Sequence, residues 1–147
     1  MSGYKHLLLA TDFSEHSEQA AERAAELAQH YDAKISVIHV IEYFPEDMPA
    51  EWVAAETVDP KQYLLDRARE QLSELVQRAG LTHAPQHVMV ARRSAKHEIL
   101  QVAKDHEVDL IVVGSHGRHG LELLLGSTAN AILHGAPCDV LAVRLPR

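Results

Sequence analysis

Cysteine is almost missing from this chain: Cys138 stands alone, so no intrachain disulfide can form and a cysteine-based zinc cage is excluded. Its expected role is that of a small buried apolar side chain near a strand. Long apolar runs are missing as well. The longest, such as 7–10 and 110–113, fall far short of the roughly 20 residues that a membrane-spanning helix requires. The first six residues lack the charged and apolar regions of a signal peptide, so a cytoplasmic protein with no membrane association is the expectation. Basic residues are the scarcer charge, 14 Lys and Arg against 21 Asp and Glu. The net charge of -7 argues against broad nucleic-acid binding, because phosphate backbones are held chiefly by clustered Lys and Arg. Eleven histidines could shift that balance in acid, and most are expected at the surface.

What is present fits one globular domain. A chain of 147 residues can bury roughly two thirds of its unfolded surface in a single core. Residues 5–10 form a short apolar strand that stops at Thr11-Asp12-Phe13-Ser14, a run rich in helix-starting side chains. Ala20, Ala21, Ala24, Leu27, Ala28 and Tyr31 then recur at helical spacing. Ile35, Val37, Ile38, Val40 and Ile41 make a β-branched second strand. Asp59-Pro60 pairs an N-cap with proline at the first helical position, and the helix it opens carries Leu64, Ala68, Leu72, Leu75, Val76 and Ala79 on one face and ends at Gly80. Residues 87–91 give a third strand, and Ser94 caps a helix with Ile99, Leu100, Val102 and Ala103. The fourth strand is 110–113. Ala129, Ile132 and Leu133 mark a last helix closed by Gly135 and Pro137, before Val140, Leu141, Ala142 and Val143 as a fifth strand.

Strands thus alternate with helices from end to end, which predicts an α/β domain: an open parallel sheet with helices on both faces. The 42–59 stretch interrupts the rhythm, with six acids, no Lys or Arg, and two prolines. It reads either as a solvated insertion or as a lid or partner-binding loop carrying Tyr43, Phe44 and Trp52.

The chemistry concentrates where the fourth strand ends, in Val113-Gly114-Ser115-His116-Gly117-Arg118, with Gly126-Ser127-Thr128 following at a helix start. Glycines let backbone N–H groups approach an anion, and a helix N-terminus adds unpaired N–H groups and partial positive charge. A doubly wound sheet binds ligands at its carboxyl edge where the winding reverses. If the first and fourth strands are neighbours, Ala10-Thr11-Asp12 faces this glycine cluster across one crevice. Asp12 either caps the first helix or meets a ribose hydroxyl or a magnesium ion held by phosphates. His116 and Arg118 are candidate phosphate donors, with a solvated loop as the alternative. His116 and His119 alone are too few for a metal site. No catalytic triad or activating base can be assembled from spacing. The open apolar edge of residues 140–143 invites pairing with a second copy.

The segments 10–14, 37–40, 108–117, 126–127 and 136–143 together resemble the universal stress protein family across nearly the whole chain. The resemblance implies a Rossmann-like single domain with five parallel strands in the order 3-2-1-4-5, a homodimer through the last strand, and ATP, or ADP or AMP, possible with magnesium, in the crevice. It implies that Thr11 and Asp12 sit beside ribose and phosphates, that Val40 lines the adenine pocket, that Gly114 and Gly117 admit the ribose and phosphates, and that Gly126, Ser127 and Thr128 donate to the phosphates. The eight residues 118–125 between Gly117 and Gly126 are one fewer than the family's nucleotide-binding pattern, which shortens the arch over the outer phosphates. A regulatory nucleotide-binding module is the leading expectation. A nucleotide-independent interaction protein with an unknown protein partner, and a slow ATPase, are the rivals.

Overall fold

A computed structural model describes residues 3–14, 17–42, 59–115 and 127–144. Five strands run parallel: β1 (His6–Ala10), β2 (Lys34–Ile41), β3 (Gln86–Val90), β4 (Leu110–Gly114) and β5 (Asp139–Val143). Among the described residues the helices are α1 (Ser17–Tyr31), α2 (Pro60–Arg78), α3 (Ala95–Asp105) and α4 (Ser127–Gly135). The sheet order is β3-β2-β1-β4-β5, the expected one.

Strand pleating sorts the core into two layers, because successive side chains point to opposite faces. Leu7, Leu9, Val37 and Val112 turn to the face covered by α1 and α2, where Ala24, Leu72, Leu75 and Val76 meet them. Leu8, Ile38, Ile111 and Val113 turn to the face covered by α3 and α4, against Ile99, Val102, Ala129 and Ile132. Leu7, Leu8, Ile38, Ile111 and Ile132 are fully buried, and truncating such a side chain to Ala costs about 2–5 kcal/mol. The small residues of α1 let its axis lie close to the sheet. Arg78 of α2 pairs with Glu18 of α1 on the outer surface.

The expected caps are in place. Asp59 accepts from the Lys61 N–H at 3.0 Å, with Pro60 opening α2, and Ser94 accepts from the His97 N–H at 3.2 Å. Gly135 ends α4 where it crosses α3 closely: a Cβ there would lie 3.1 Å from Leu100 Cδ1. Cys138 is half-buried against the second core layer, and burial raises its thiol pKa, as suits a packing residue.

Two expectations need correction. Leu133 is 46% exposed: Ala129 and Ile132 carry the buried contact of the short α4, and residue 133 falls at the margin of its stripe. Tyr31 is 40% exposed and stacks edge-on against Tyr4 at a centroid distance of 5.2 Å instead of entering the core. Asp12 Oδ1 accepts from the Ser14 N–H at 2.9 Å, which engages the carboxylate in the turn that precedes α1.

Candidate functional site

The site is built where β1 and β4 run side by side. Their register pairs Leu9 with Val112 and Ala10 with Val113, so both strands release their chains at the same level of the carboxyl edge. Thr11 and Asp12 leave β1 there, half-buried, while Gly114 ends β4 and Ser115 follows, buried. The Ser115 N–H donates to the Val143 carbonyl at 2.8 Å, which ties this exit to the end of β5. The Thr11 N–H donates to Ile38 O at 3.0 Å and carries the β1–β2 ladder one step past the strand. Val40, buried, lies farther along β2 on the same edge, opposite Met89.

The loop after β1 is held in an unusual shape. Phe13 has φ of 59°, the left-handed region that a bulky side chain rarely adopts. Three contacts hold it. The Phe13 N–H donates to Thr11 Oγ1 at 3.2 Å, the Ser14 N–H to Asp12 Oδ1 at 2.9 Å, and the Phe13 ring stacks on His39 with centroids 4.1 Å apart. His39 is only 7% exposed, and its Nδ1 lies 2.8 Å from the Thr11 carbonyl oxygen. A nitrogen facing a carbonyl must carry the hydrogen, so Nδ1–H donates to Thr11 O. His39 is therefore no surface histidine, and it fixes the backbone from which Thr11 and Asp12 project.

Neither His39 nor Phe13 belongs to the set expected at the crevice. The available signal was one polar residue inside the apolar Val37–Val40 run. A buried polar group must find a hydrogen-bond partner, and in β2 the nearest backbone not already paired is the chain leaving β1.

The set splits in two. Ala10, Thr11, Asp12, Val40, Val113, Gly114 and Ser115 are gathered at one edge of the sheet. Ser127 opens α4, and Thr128 is exposed on its first turn. His116, Gly117, Arg118 and Gly126 lie outside the described residues, as do His119 and residues 43–58 of the acidic stretch. Among the described residues no group of His, Cys, Asp and Glu is placed to hold a metal ion by itself.

The donor set suits the sugar end of a nucleotide better than its charged end. Thr11 brings a hydroxyl and Asp12 a carboxylate that can accept from a ribose diol or take an inner or outer position on magnesium. Buried Val40 and Val113 give apolar walls. The described members of the set include no Lys or Arg. An anion here would therefore meet no cationic side chain among the described members of the set.

A sequence profile of the Universal stress protein family matches residues 3–144. The chain is 44% identical over 146 residues to Universal stress protein A homolog 2 of Coxiella burnetii, covering 99% of this chain and 98% of the relative. The structure superposes on universal stress protein UspA from Lactobacillus plantarum with a TM-score of 0.75 at 26% identity, covering 98% of this chain and 100% of the other. A universal stress protein crystallised in complex with cAMP is similar with a TM-score of 0.66 at 25% identity, covering 99% of this chain and 100% of that one.

Proposed function

Because the chain belongs to the universal stress protein family, we propose that it is a cytoplasmic, dimeric module that holds an adenine nucleotide as a regulatory ligand at the carboxyl edge of β1 and β4. The observation that carries this reading is the Ala10–Val113 register, which brings Thr11 and Asp12 level with Gly114 and Ser115. The cAMP complex of a structural neighbour supports it, since an adenine nucleotide is accommodated by a protein of the same fold.

In this reading Thr11 and Asp12 meet the ribose, Val40 and Val113 flank the base, and Gly114 leaves room for backbone approach. Ser127, Thr128 and the residues 116–118 meet the phosphates. Magnesium, when bound, offsets phosphate charge beside Asp12. No described helix is long and apolar enough to cross a membrane, which suits a cytoplasmic role.

Calorimetric titration of nucleotide-stripped protein with ATP, ADP, AMP and cAMP, with and without magnesium, tests the proposal. Saturable binding that is lost in Gly117→Val is expected. No binding of any of the four would overturn it. The short spacer 118–125 favours a second reading, in which AMP and cAMP bind but the outer phosphates of ATP add nothing. Equal affinity for AMP and ATP would select that outcome.

A further inference from the structure

The opposite end of the sheet holds a cavity of about 530 Å³ that the nucleotide reading does not use. It lies at the amino edge of three strands, where His6 opens β1, Lys34 opens β2 and His87 stands second in β3. The loop from α2 to β3 brings His83, and the end of α3 brings His106. Apolar Ile35, Leu81 and Pro85 line the same space. Its volume falls within the range of small-molecule sites.

The charge pattern is one-sided. Every ionisable side chain on the wall is a lysine or a histidine, and no carboxylate lines it, in a chain of net charge -7. Asp109, which follows α3, turns both oxygens to the N–H groups of Lys5 and His6 at 2.9–3.1 Å, and Asp105 accepts from Gln101. From these observations we infer that the cavity is a second ligand site, for a small amphipathic anion that places a carboxylate or phosphate among Lys34 and the imidazoles and an apolar body against Leu81, Ile35 and Pro85.

The imidazoles are organised for this. His6 Nδ1 lies 3.0 Å from the His106 carbonyl oxygen and must donate to it, so in the neutral ring Nε2 accepts from Ser36 Oγ at 2.7 Å. The rings of His87 and His106 lie 5.1 Å apart, so protonating both sets two positive charges side by side. Burial, then His106, then His6 hold the His87 pKa below its ordinary value. The groups facing His87 are thus His6 from β1, Lys34 from β2, His83 from its own loop and His106 from α3, all neutral or cationic. An anion seated among them offsets the repulsion and lets His87 take a proton. Ligand binding and proton uptake are linked, and affinity rises as pH falls.

The test is an amide and imidazole NMR titration of the full chain with benzoate and with phenyl phosphate, using benzyl alcohol as the uncharged control, near pH 6 and near pH 8. Expected are saturable shifts confined to residues 6, 34–36, 81–87 and 106, with apparent affinity about tenfold higher near pH 6. Lys34→Gln combined with His83→Gln, both exposed positions, should weaken binding of either anion about tenfold or more. No saturable shift by about 10 mM of either anion at either pH would overturn the inference. So would equal binding of benzyl alcohol, or unchanged binding in the double variant. Titration of the same sample with ATP reads residues 10–12 and 113–115 separately, so failure at one edge is distinguished from failure at the other.

Discussion

His39 Nδ1 lies 2.8 Å from the carbonyl oxygen of Thr11, and this bond between β2 and the chain leaving β1 sets the shape of the candidate crevice. The imidazole sits beneath a backbone that turns through a left-handed Phe13, whose ring it also stacks on. One side chain therefore acts on the loop twice, by hydrogen bond and by ring contact.

Replacing His39 by Phe separates the two contacts. The new ring keeps the face against Phe13 but removes the donor and leaves the Thr11 carbonyl short of a partner, at a cost of about 1–3 kcal/mol. The urea midpoint should fall by that amount divided by the slope, with the slope itself unchanged. If adenine nucleotides bind as proposed, affinity should fall more in His39→Phe than in an equally destabilising core variant such as Ile99→Val, because only the first releases Thr11 and Asp12. An unchanged midpoint would mean that the stack alone holds the loop.

Three helices end alike, and two of them carry the wrong residue for it. The N–H of Ala33, Leu81 and Val108 each reaches back to the carbonyl of Ala28, Val76 and Ala103 at 2.8–2.9 Å, across a residue with positive φ. That residue is Gly80 in one case, but Asp32 (φ 52°) and Glu107 (φ 54°) in the others. Asp32→Gly and Glu107→Gly should each stabilise the fold by about 0.5–1 kcal/mol, the relief of left-handed strain less the added freedom of the unfolded chain. A Cβ at Gly80 meets nothing within 4 Å, so Gly80→Ala isolates the reverse effect and should cost about 1 kcal/mol. Thermal or urea unfolding of the three variants checks the set.

The order of elements and their caps could be read from the chain because each signal is local: apolar runs for the strands, Asp59-Pro60 and Ser94 for helix starts, Gly80 for a helix end. The strand order needed more than periodicity, which does not say that β1 lies between β2 and β4; the family resemblance supplied it. His39 escaped because its burial is decided by a residue 28 positions away. Asp109 escaped likewise: its carboxylate reads as a loop acid until β1 lies beside it and offers the Lys5 and His6 N–H groups. Leu133 and Tyr31 show the reverse error, since helical spacing marks a stripe but not where the neighbouring element ends.

Acid should weaken the fold through His87. Its folded pKa is depressed, by burial first and then by His106 and His6, below the ordinary 6.5 that the unfolded chain keeps. Above 6.5 the ring is neutral in both states and the fold has its full stability. As pH falls below 6.5 the unfolded chain takes up a proton that the folded chain resists, so unfolding becomes easier. Urea midpoints measured between about pH 8 and pH 5 should therefore decline on the acid side, and His87→Gln should flatten that part of the decline. A decline identical in the variant would assign it to other groups.

The proposed dimer can be tested on the backbone of β5 alone. A residue's N–H and C=O point to the same side of a strand, and successive residues alternate sides. The Val143 carbonyl accepts from Ser115, so Val143 and Leu141 face β4, and Val140 and Ala142 present their N–H and C=O to the open edge. Proline at Ala142 removes one outward donor and spares the bonds to β4, the situation in which an edge strand tolerates it. If two copies pair through β5, Ala142→Pro should convert a dimer into a monomer in light scattering while the circular dichroism spectrum stays folded. Val140, Leu141 and Ala142 are only half-buried in the single chain, so the monomer should also be less soluble than the parent. A variant that remains dimeric and folded would place the interface elsewhere and leave the edge to be covered by another partner.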